Sequence, residues 1–367
     1  MANKNLTNAK RAKNDEFYTQ YGDIQKEIGA YLEYNPDVFR NKVVYCNCDD
    51  PFESNFFRYF VLNFNKLGLK QLITTSYKPS PVANTQLTLF GDDKTLTKSK
   101  GLPAGRHGRP KINANKFIIN EVADIDDDGE FNLKDIAKQL KANKHNEWMP
   151  LEGDGDFRSD ECINLLKQSD IVITNPPFSL FRQYLKQLVE YEKKFLIIGN
   201  MNAITYKEVF PLIKDNKMWL GNGFHAGNAY FFTPNMRDFA SGVYDEKTGL
   251  VKFRNVCWFT NIDHGRRHQP LKQMTMEENL KYSKHKEIKG KKSYDKYDNY
   301  DAIEVPFTDS IPSDYDGVMG VPISFLDKYN PEQFEIVKFR HGDDEKDLRL
   351  KDGICPYFRV LIKHKKK

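Results

Sequence analysis

Cysteine is scarce in this chain, with five in 367 residues, at 46, 48, 162, 257 and 355. They are too few and too scattered for a disulfide framework. Cys46 and Cys48 alternate inside an apolar run and read as strand residues, which fits a reducing cytoplasm. Long apolar runs are missing as well. No segment approaches the ~18 uninterrupted apolar residues of a membrane span, so no membrane partner is expected. The opening stretch MANKNLTNAKRAKNDEF is polar and has no apolar centre for a signal peptide. No Gly-x-Gly-x-x-Gly follows the first strand, which argues against a nicotinamide dehydrogenase. His264 and His268 stand four apart without a carboxylate at zinc-enzyme spacing, so DHGRRHQ reads as a basic, outward-facing turn and not a zinc site, a solvated loop being the plain alternative. Asp124 to Asp135, DIDDDGEFNLKD, mimics a calcium loop, but its twelfth position is Asp135 rather than Glu and a strand precedes it. It reads as a tight acidic turn, and no metal is expected.

What is present suits a globular chain of one large or two ordinary domains: 39% hydrophobic and 13% aromatic residues. Net charge is +5 but uneven. Lys94 to Lys116 holds seven Lys/Arg and no acid, and His264 to Lys296 holds ten against four, with Tyr282 and Tyr294 between them. Basic stretches with interleaved aromatics suit a phosphate backbone, although a solvated loop has the same composition.

Strands and helices alternate. KVVYCNCDD reads as a buried strand bounded by Asp-Pro. SNFFRYFVLNFNKLG has helical spacing and stops at Gly68. KQLITTSY is the next strand, and a polar, Gly- and Pro-rich loop follows. KFIINEVADI is a strand, LKDIAKQLKAN a short helix, and SDECINLLKQS a helix capped by Ser159. DIVIT and FLIIGN are strands flanking the helix SLFRQYLKQLVEYEKK, and YKEVFPLIKDN is a further helix. This alternation predicts a parallel sheet covered on both faces. Ligands then sit beyond the carboxyl ends of its strands, where CDDP and TNPPF both fall.

TNPPF carries the chemistry. Two prolines end strand pairing and turn a carbonyl into the cleft. The Asn175 side-chain oxygen and the Pro176 carbonyl are then two acceptors held close together, and Phe178 offers a flat stacking surface. Two acceptors beside a stacking face match an exocyclic amino group on a planar ring. Accepting both N–H hydrogens leaves the nitrogen lone pair less conjugated, hence more nucleophilic. A sulfonium methyl is the natural electrophile. The plain alternative is a Pro-Pro turn at a strand end.

TNPPF resembles the Asn-Pro-Pro-aromatic motif of amino-methyltransferases. The wider pattern resembles the EcoRI-type adenine-specific DNA methyltransferase family through NDEFYTQYGDIQKEI, CNCDDPFESNFFRYF, LGLKQLITTSY, EGDGDFRSDE, DIVITNPPFSLFRQYL, KKFLIIGNMNAITYKE and VPISFLDKYNPEQFEIV. The resemblance implies an α/β fold: a doubly wound, Rossmann-like class I methyltransferase sheet with a smaller mixed DNA-recognition part at the C-terminus. It implies S-adenosylmethionine as cofactor and adenine N6 in double-stranded DNA as acceptor, with the base flipped out of the duplex. Asn175, Pro176, Pro177 and Phe178 match the catalytic tetrapeptide. Tyr18 and Thr19 match the element near the methionine carboxylate, Asp49, Asp50 and Pro51 the first cofactor loop, and Asp156 and Phe157 the element around the cofactor adenine.

The chain departs from the pattern twice. Glu53-Ser54-Asn55 stand where the first loop usually has glycines, and the second strand ends TTSY with no carboxylate until Asp92. The ribose contact is therefore unassigned, with Asp49 or Asp50 the nearest acids. Residues 1–262 are expected to form the catalytic domain, with 78–115 an inserted basic loop, and 263–367 the target-recognition region. Arg266, Arg267, Lys272, Lys284 and Lys286 are the expected DNA contacts. A monomer is expected, together with a cognate restriction endonuclease that acts on the same site and needs no direct contact. GAATTC is the target by resemblance. Two alternatives stay open: an amino-methyltransferase acting on RNA or protein glutamine, and a catalytically inactive DNA-binding relative.

Overall fold

A computed structural model describes residues 17–48, 54–77, 114–124, 135–136, 139, 145–224, 228–232 and 242–365. The chain forms two compact units, Met1–Met201 with Asn222–Ile262, and Asn202–Gly221 with Asp263–Lys367. Residues 202–221, read from sequence as part of the catalytic domain, cluster with the second unit. Phe210 packs on Phe339 at 5.0 Å there, and Trp219 lies under the Arg267 guanidinium at 3.7 Å.

The first unit begins with strand β1 (Tyr18–Thr19), helix α1 (Tyr21–Tyr34), strand β2 (Val43–Cys46), helix α2 (Asn55–Leu62) and strand β3 (Gln71–Thr75). Strands β4 (Asn115–Ile119) and β5 (Glu147–Pro150) follow, then helix α3 (Asp160–Gln168), strand β6 (Ile171–Thr174), helix α4 (Phe181–Glu190) and strand β7 (Lys194–Asn200). Strands β8 (Asn228–Phe232), β9 (Tyr244–Asp245), β10 (Leu250–Arg254) and β11 (Val256–Thr260) complete it.

Seven of these strands lie side by side in the order β5-β4-β3-β2-β6-β7-β11. β2 and β6, VVYC and IVIT, are apolar or β-branched and buried at every position, as strands covered on both faces must be. β3, β2, β6 and β7 run parallel, while β4, β5 and β11 are antiparallel to their neighbours. The sheet is therefore mixed rather than parallel throughout. The antiparallel strands need no helical crossover, so strand–helix alternation does not announce them. Strand order reverses at β2, with β3 on one side and β6 on the other. In an open α/β sheet such a reversal marks the crevice that takes a ligand.

A second, smaller sheet has the order β1-β8-β10-β9. β1 pairs antiparallel with β8, Tyr18 opposite Phe232 and Thr19 opposite Phe231. Asn255, at φ 59°, turns the chain from β10 in this sheet into β11 in the large one. Asparagine tolerates the left-handed region that most side chains avoid.

The helices follow their caps. The Ser54 hydroxyl accepts from the Phe56 and Phe57 amides, and the Ser159 hydroxyl from Cys162. Helix α1 carries a carboxylate that the pattern hides: Glu27 is 1% exposed. Its oxygens accept from the amides of Asn222 at 2.8 Å and Gly223 at 2.9 Å, and from the Tyr31 hydroxyl at 3.1 Å. It thus fastens the segment leading toward β8.

The second unit holds helix α5 (Met276–Tyr282) and strands β12 (Ala302–Glu304), β13 (Val318–Pro322), β14 (Phe334–Phe339) and β15 (Arg359–His364), in sheet order β12-β13-β15-β14. Glu304 and Arg359 form a buried ion pair at 2.6 Å across this sheet, and the Tyr297 hydroxyl donates to the same carboxylate. Among the described residues no helix is long and apolar enough to cross a membrane.

Glu27→Ala removes the acceptor of two half-buried amides and of the buried Tyr31 hydroxyl. It is expected to lower the unfolding free energy by about 1–3 kcal/mol, read from the urea midpoint at unchanged m-value. A midpoint shift below a few tenths of a kcal/mol would show that solvent reaches these amides.

Candidate functional site

The carboxyl ends of β2, β3 and β6 meet in the first unit. Asn47, just past β2, accepts at its carbonyl from the Thr174 hydroxyl and at its side chain from the Tyr184 hydroxyl. The exits of β2 and β6 are therefore bonded directly to each other. The sequence reading missed Asn47 and Tyr184; the single amide between two cysteines in CNCDD was the available signal.

Asn175 leaves β6 and is buried. Its Nδ2 donates to the Phe17 carbonyl at 2.6 Å. Its Oδ1 is buried and has no hydrogen-bond partner among the described residues. Unpaired buried acceptors are rare in folded chains and call for an explanation. Pro176 is buried beside it, and the Pro177 carbonyl accepts the Leu180 amide at 2.8 Å, starting a short 3-10 turn at Phe178. The Phe178 ring stacks on Phe17 with centroids 6.2 Å apart and planes 23° apart. It meets Phe231 and Phe253 edge-on at 6.1 and 5.9 Å. The tetrapeptide thus presents one free amide acceptor beside an aromatic ring fixed by three others.

β1 brings the cofactor candidates to the same place. Tyr18 and Thr19 are buried, and the Thr19 Oγ1 has no partner among the described residues. Asn55, at the start of α2, donates from Nδ2 to the Thr19 carbonyl at 2.7 Å. It stands where the first loop usually carries glycine. Asp49, Asp50 and Pro51 lie outside the described residues.

Gly155 sits at φ 79°, and a Cβ there would overlap the Ser76 carbonyl oxygen and lie 2.9 Å from the Ala114 Cβ. Only glycine lets this turn close on the end of β3. Asp156 and Phe157 follow directly on this turn. Phe157 is buried edge-on against Tyr184, centroids 5.0 Å apart. The Asp156 carboxylate accepts from the Arg158 amide and side chain, with a closest ion-pair distance of 2.5 Å. Hydrogen bonding to Asp156 raises the Arg158 pKa further above its usual value. Asp156 therefore already shares its oxygens, although a carboxylate has room for one more donor. At the end of β3 the Thr74 hydroxyl is a second buried group without a partner among the described residues. Thr19 on β1 and Thr74 on β3 are thus two buried hydroxyls without a partner among the described residues.

The basic candidates lie in the second unit, and two residues of DHGRRHQ, His264 and Arg267, do not face outward as expected. His264 is buried with Nε2 3.0 Å from the Leu220 carbonyl, and burial lowers its pKa. Arg267 is 8% exposed. Its guanidinium lies 3.7 Å from the Trp219 ring centroid, 3.2 Å from Asp263, and donates to Asn216. Arg266 pairs with Asp327. His268 bridges Asp263 and Glu332 at 2.9 Å each; burial disfavours its charge, but the two carboxylates outweigh burial and raise its pKa. Arg267 is thus an interior group whose guanidinium is already engaged. Lys284 pairs with Asp309 at 2.8 Å, while Lys272 and Lys286 are exposed. Of the two tyrosines, Tyr282 is 61% exposed, but Tyr294 is buried and donates to the Ser310 carbonyl at 2.7 Å. Residues 94–113 of the Lys94–Lys116 stretch fall outside the described residues, as does most of Asp124–Asp135.

A family model described as adenine-specific methyltransferase EcoRI matches residues 5–365. The Type II methyltransferase M.EcoRI of Escherichia coli is 46% identical, over 99% of this chain and 97% of the relative. M.MpnI of Mycoplasma pneumoniae is 32% identical and M.MgeORF184P of Mycoplasma genitalium 33%, each over 97% of both chains. No solved structure matches the chain.

Arg267→Ala is expected to lower the unfolding free energy by about 1.5–3 kcal/mol, the range for hydrogen bonds to charged groups. Lys286→Ala is expected to stay within about 0.5 kcal/mol of the parent. Parallel chemical denaturation checks both, and equal effects would mean that Arg267 is not an interior group.

Proposed function

The chain belongs to the EcoRI family of adenine-specific methyltransferases, and on that premise we propose that it methylates N6 of a flipped-out adenine in double-stranded DNA, with Asn175 accepting from the target amine. The observation that carries this is the buried, unpartnered Asn175 Oδ1 beside the Phe178 ring. An acceptor held in that state gains a hydrogen bond when an amino group arrives, and it has nothing to surrender first.

S-adenosylmethionine, when bound, supplies an electrophilic methyl group on a positively charged sulfur. Thr19 and Tyr18 would hold its methionine end, with Asp156 and Phe157 at its adenine end. Asp49, Asp50 and Pro51 are proposed for the first loop by resemblance. Asn175 and the Pro176 carbonyl would take the two N6 hydrogens, freeing the nitrogen lone pair from the ring. Phe178 would stack on the base, and Pro177 would hold the turn between them. As the new C–N bond formed, the methyl–sulfur bond would break with its electron pair left on sulfur as a neutral thioether; the nitrogen would become positive and later release one proton. Among the described residues no histidine is bonded to the motif, and water would take that proton. Positioning supplies most of the acceleration.

The second unit is proposed to hold the target duplex. Lys272 and Lys286 are the leading phosphate contacts, with Lys284 and Arg266 available by exchange from Asp309 and Asp327. Flipping the base costs a few kcal/mol, and phosphate contacts offset it. A cognate restriction endonuclease would act on the same sequence independently.

The test is methyl transfer to a duplex carrying GAATTC, to RNA and to a glutamine peptide in parallel, with N6-methyladenine as the readout. Preference for RNA or peptide would overturn the proposal. Asn175→Ala is expected to abolish transfer and leave cofactor affinity nearly intact; a tenth or more of parent turnover would remove Asn175 from this role. Phe178→Ala should weaken capture of the flipped base by about 1–3 kcal/mol, with Phe178→Trp far milder. Equal losses in both would exclude stacking.

Lys272→Ala with Lys286→Ala is expected to reduce the salt dependence of DNA binding by up to ~2 units of slope, equally for cognate and random duplex. An unchanged slope would place the phosphate contacts elsewhere.

A further inference from the structure

We propose that Phe17 is a positioning residue of the transfer site: its carbonyl decides which end of the Asn175 amide faces the target, and its ring sets the plane of Phe178. The inference rests on the reading of Asn175 as acceptor for the target amine.

The two ends of an asparagine amide have nearly the same size and opposite hydrogen-bonding character. Only the oxygen end helps a methyl acceptor, because the NH2 end would meet the amine hydrogens with hydrogens of its own. Something must therefore hold the orientation. The Phe17 carbonyl, 2.6 Å from Nδ2, accepts only from a donor. Turning the amide over would set two lone-pair atoms together in a buried place, which biases the wrong orientation by roughly ten- to a hundredfold.

The carbonyl is itself well held. Residues 18 and 19 pair with Phe232 and Phe231, and Asn55 holds the Thr19 carbonyl at 2.7 Å. The Phe17 ring lies edge-on to Phe253 at 4.6 Å and stacked on Phe178 at 6.2 Å. One residue thus touches both halves of the proposed machinery, the acceptor through its backbone and the stacking ring through its side chain. A further consequence is selection of the residue type at 175. An ionised aspartate there would oppose its oxygen to the Phe17 carbonyl, whereas asparagine does not. A neutral aspartic acid would donate its O–H to that carbonyl and keep one acceptor toward the base.

The experiment is the pH profile of Asn175→Asp turnover relative to the parent, with Asn175→Ala beside it. Among the described residues the aromatic rings that meet Phe178 are Phe17, Phe231 and Phe253, none of which titrates. The ratio of Asp variant to parent is expected to rise at least tenfold from about pH 8.5 to about pH 5.5, as the buried acid becomes neutral. A flat ratio with an inactive Asn175→Ala overturns the role of the Phe17 carbonyl and leaves the acceptor reading standing. An active Asn175→Ala overturns both. For the ring, Phe17→Leu is expected to lower kcat about tenfold with cofactor affinity by calorimetry unchanged, and Phe17→Tyr to restore it. A Leu variant with parental kcat overturns the ring's role.

Discussion

The hydrogen bond from Asn175 Nδ2 to the Phe17 carbonyl joins residues 158 apart in sequence. The rest of the site depends on it. It requires β6 to end at residue 174 and β1 to be docked on β8, so it forms only when both sheets of the first unit are in place. Closing so long a loop costs little more entropy than closing a moderate one. The cost is in ordering a two-residue strand, and that is met by paired backbone, by Asn55 and by the Phe17–Phe178–Phe231–Phe253 cluster. The outcome is an orphaned acceptor: the same bond that satisfies one end of the amide leaves the other available.

What the sequence showed of this, and what it hid, follows from where information is carried. VVYC, QLITT, IVIT and KFLIIGN were legible as strands because burial on both faces demands apolar, β-branched runs. TNPPF was legible because two prolines after such a run have few uses. The edge strand β5 and the small antiparallel sheet were not. β1 has two residues, and β8 alternates only over NAYFF, with Ala229 and Phe231 inward and Tyr230 and Phe232 outward. Asn47, Asn55 and Phe17 escaped for a related reason, since their work is done to or by backbone atoms. A carbonyl is the same in every residue, so nothing in the letter F at position 17 announces that its oxygen orients an amide.

Charge misled in the opposite direction. Composition counts cations but cannot say which are already engaged. Arg267 sits in DHGRRHQ like a phosphate contact, yet its planar guanidinium stacks on Trp219 and pairs with Asp263 inside the second unit. Arginine suits such a place better than lysine, because a weakly hydrated plane loses less on leaving water. The cations left for a polyanion are those on long stems at the surface, such as Lys272 and Lys286. A basic run is therefore an upper bound on a binding surface.

The first loop shows how a departure from a family pattern can be absorbed. Glycines there would let backbone approach a ligand, and this chain has Glu53-Ser54-Asn55 instead. Ser54 takes the first amides of α2, and Asn55 reaches across to the Thr19 carbonyl. A permissive loop has become a brace between a helix start and β1. The close approach that glycine normally provides is found at Gly155, whose turn lies against Ser76 at the end of β3. At Gly155 the absent side chain makes room for protein backbone, because the Ser76 carbonyl oxygen fills the place a Cβ would take, while Asn55 braces β1. The brace at Asn55 bears on β1, and the residue just before β1 holds the Asn175 amide.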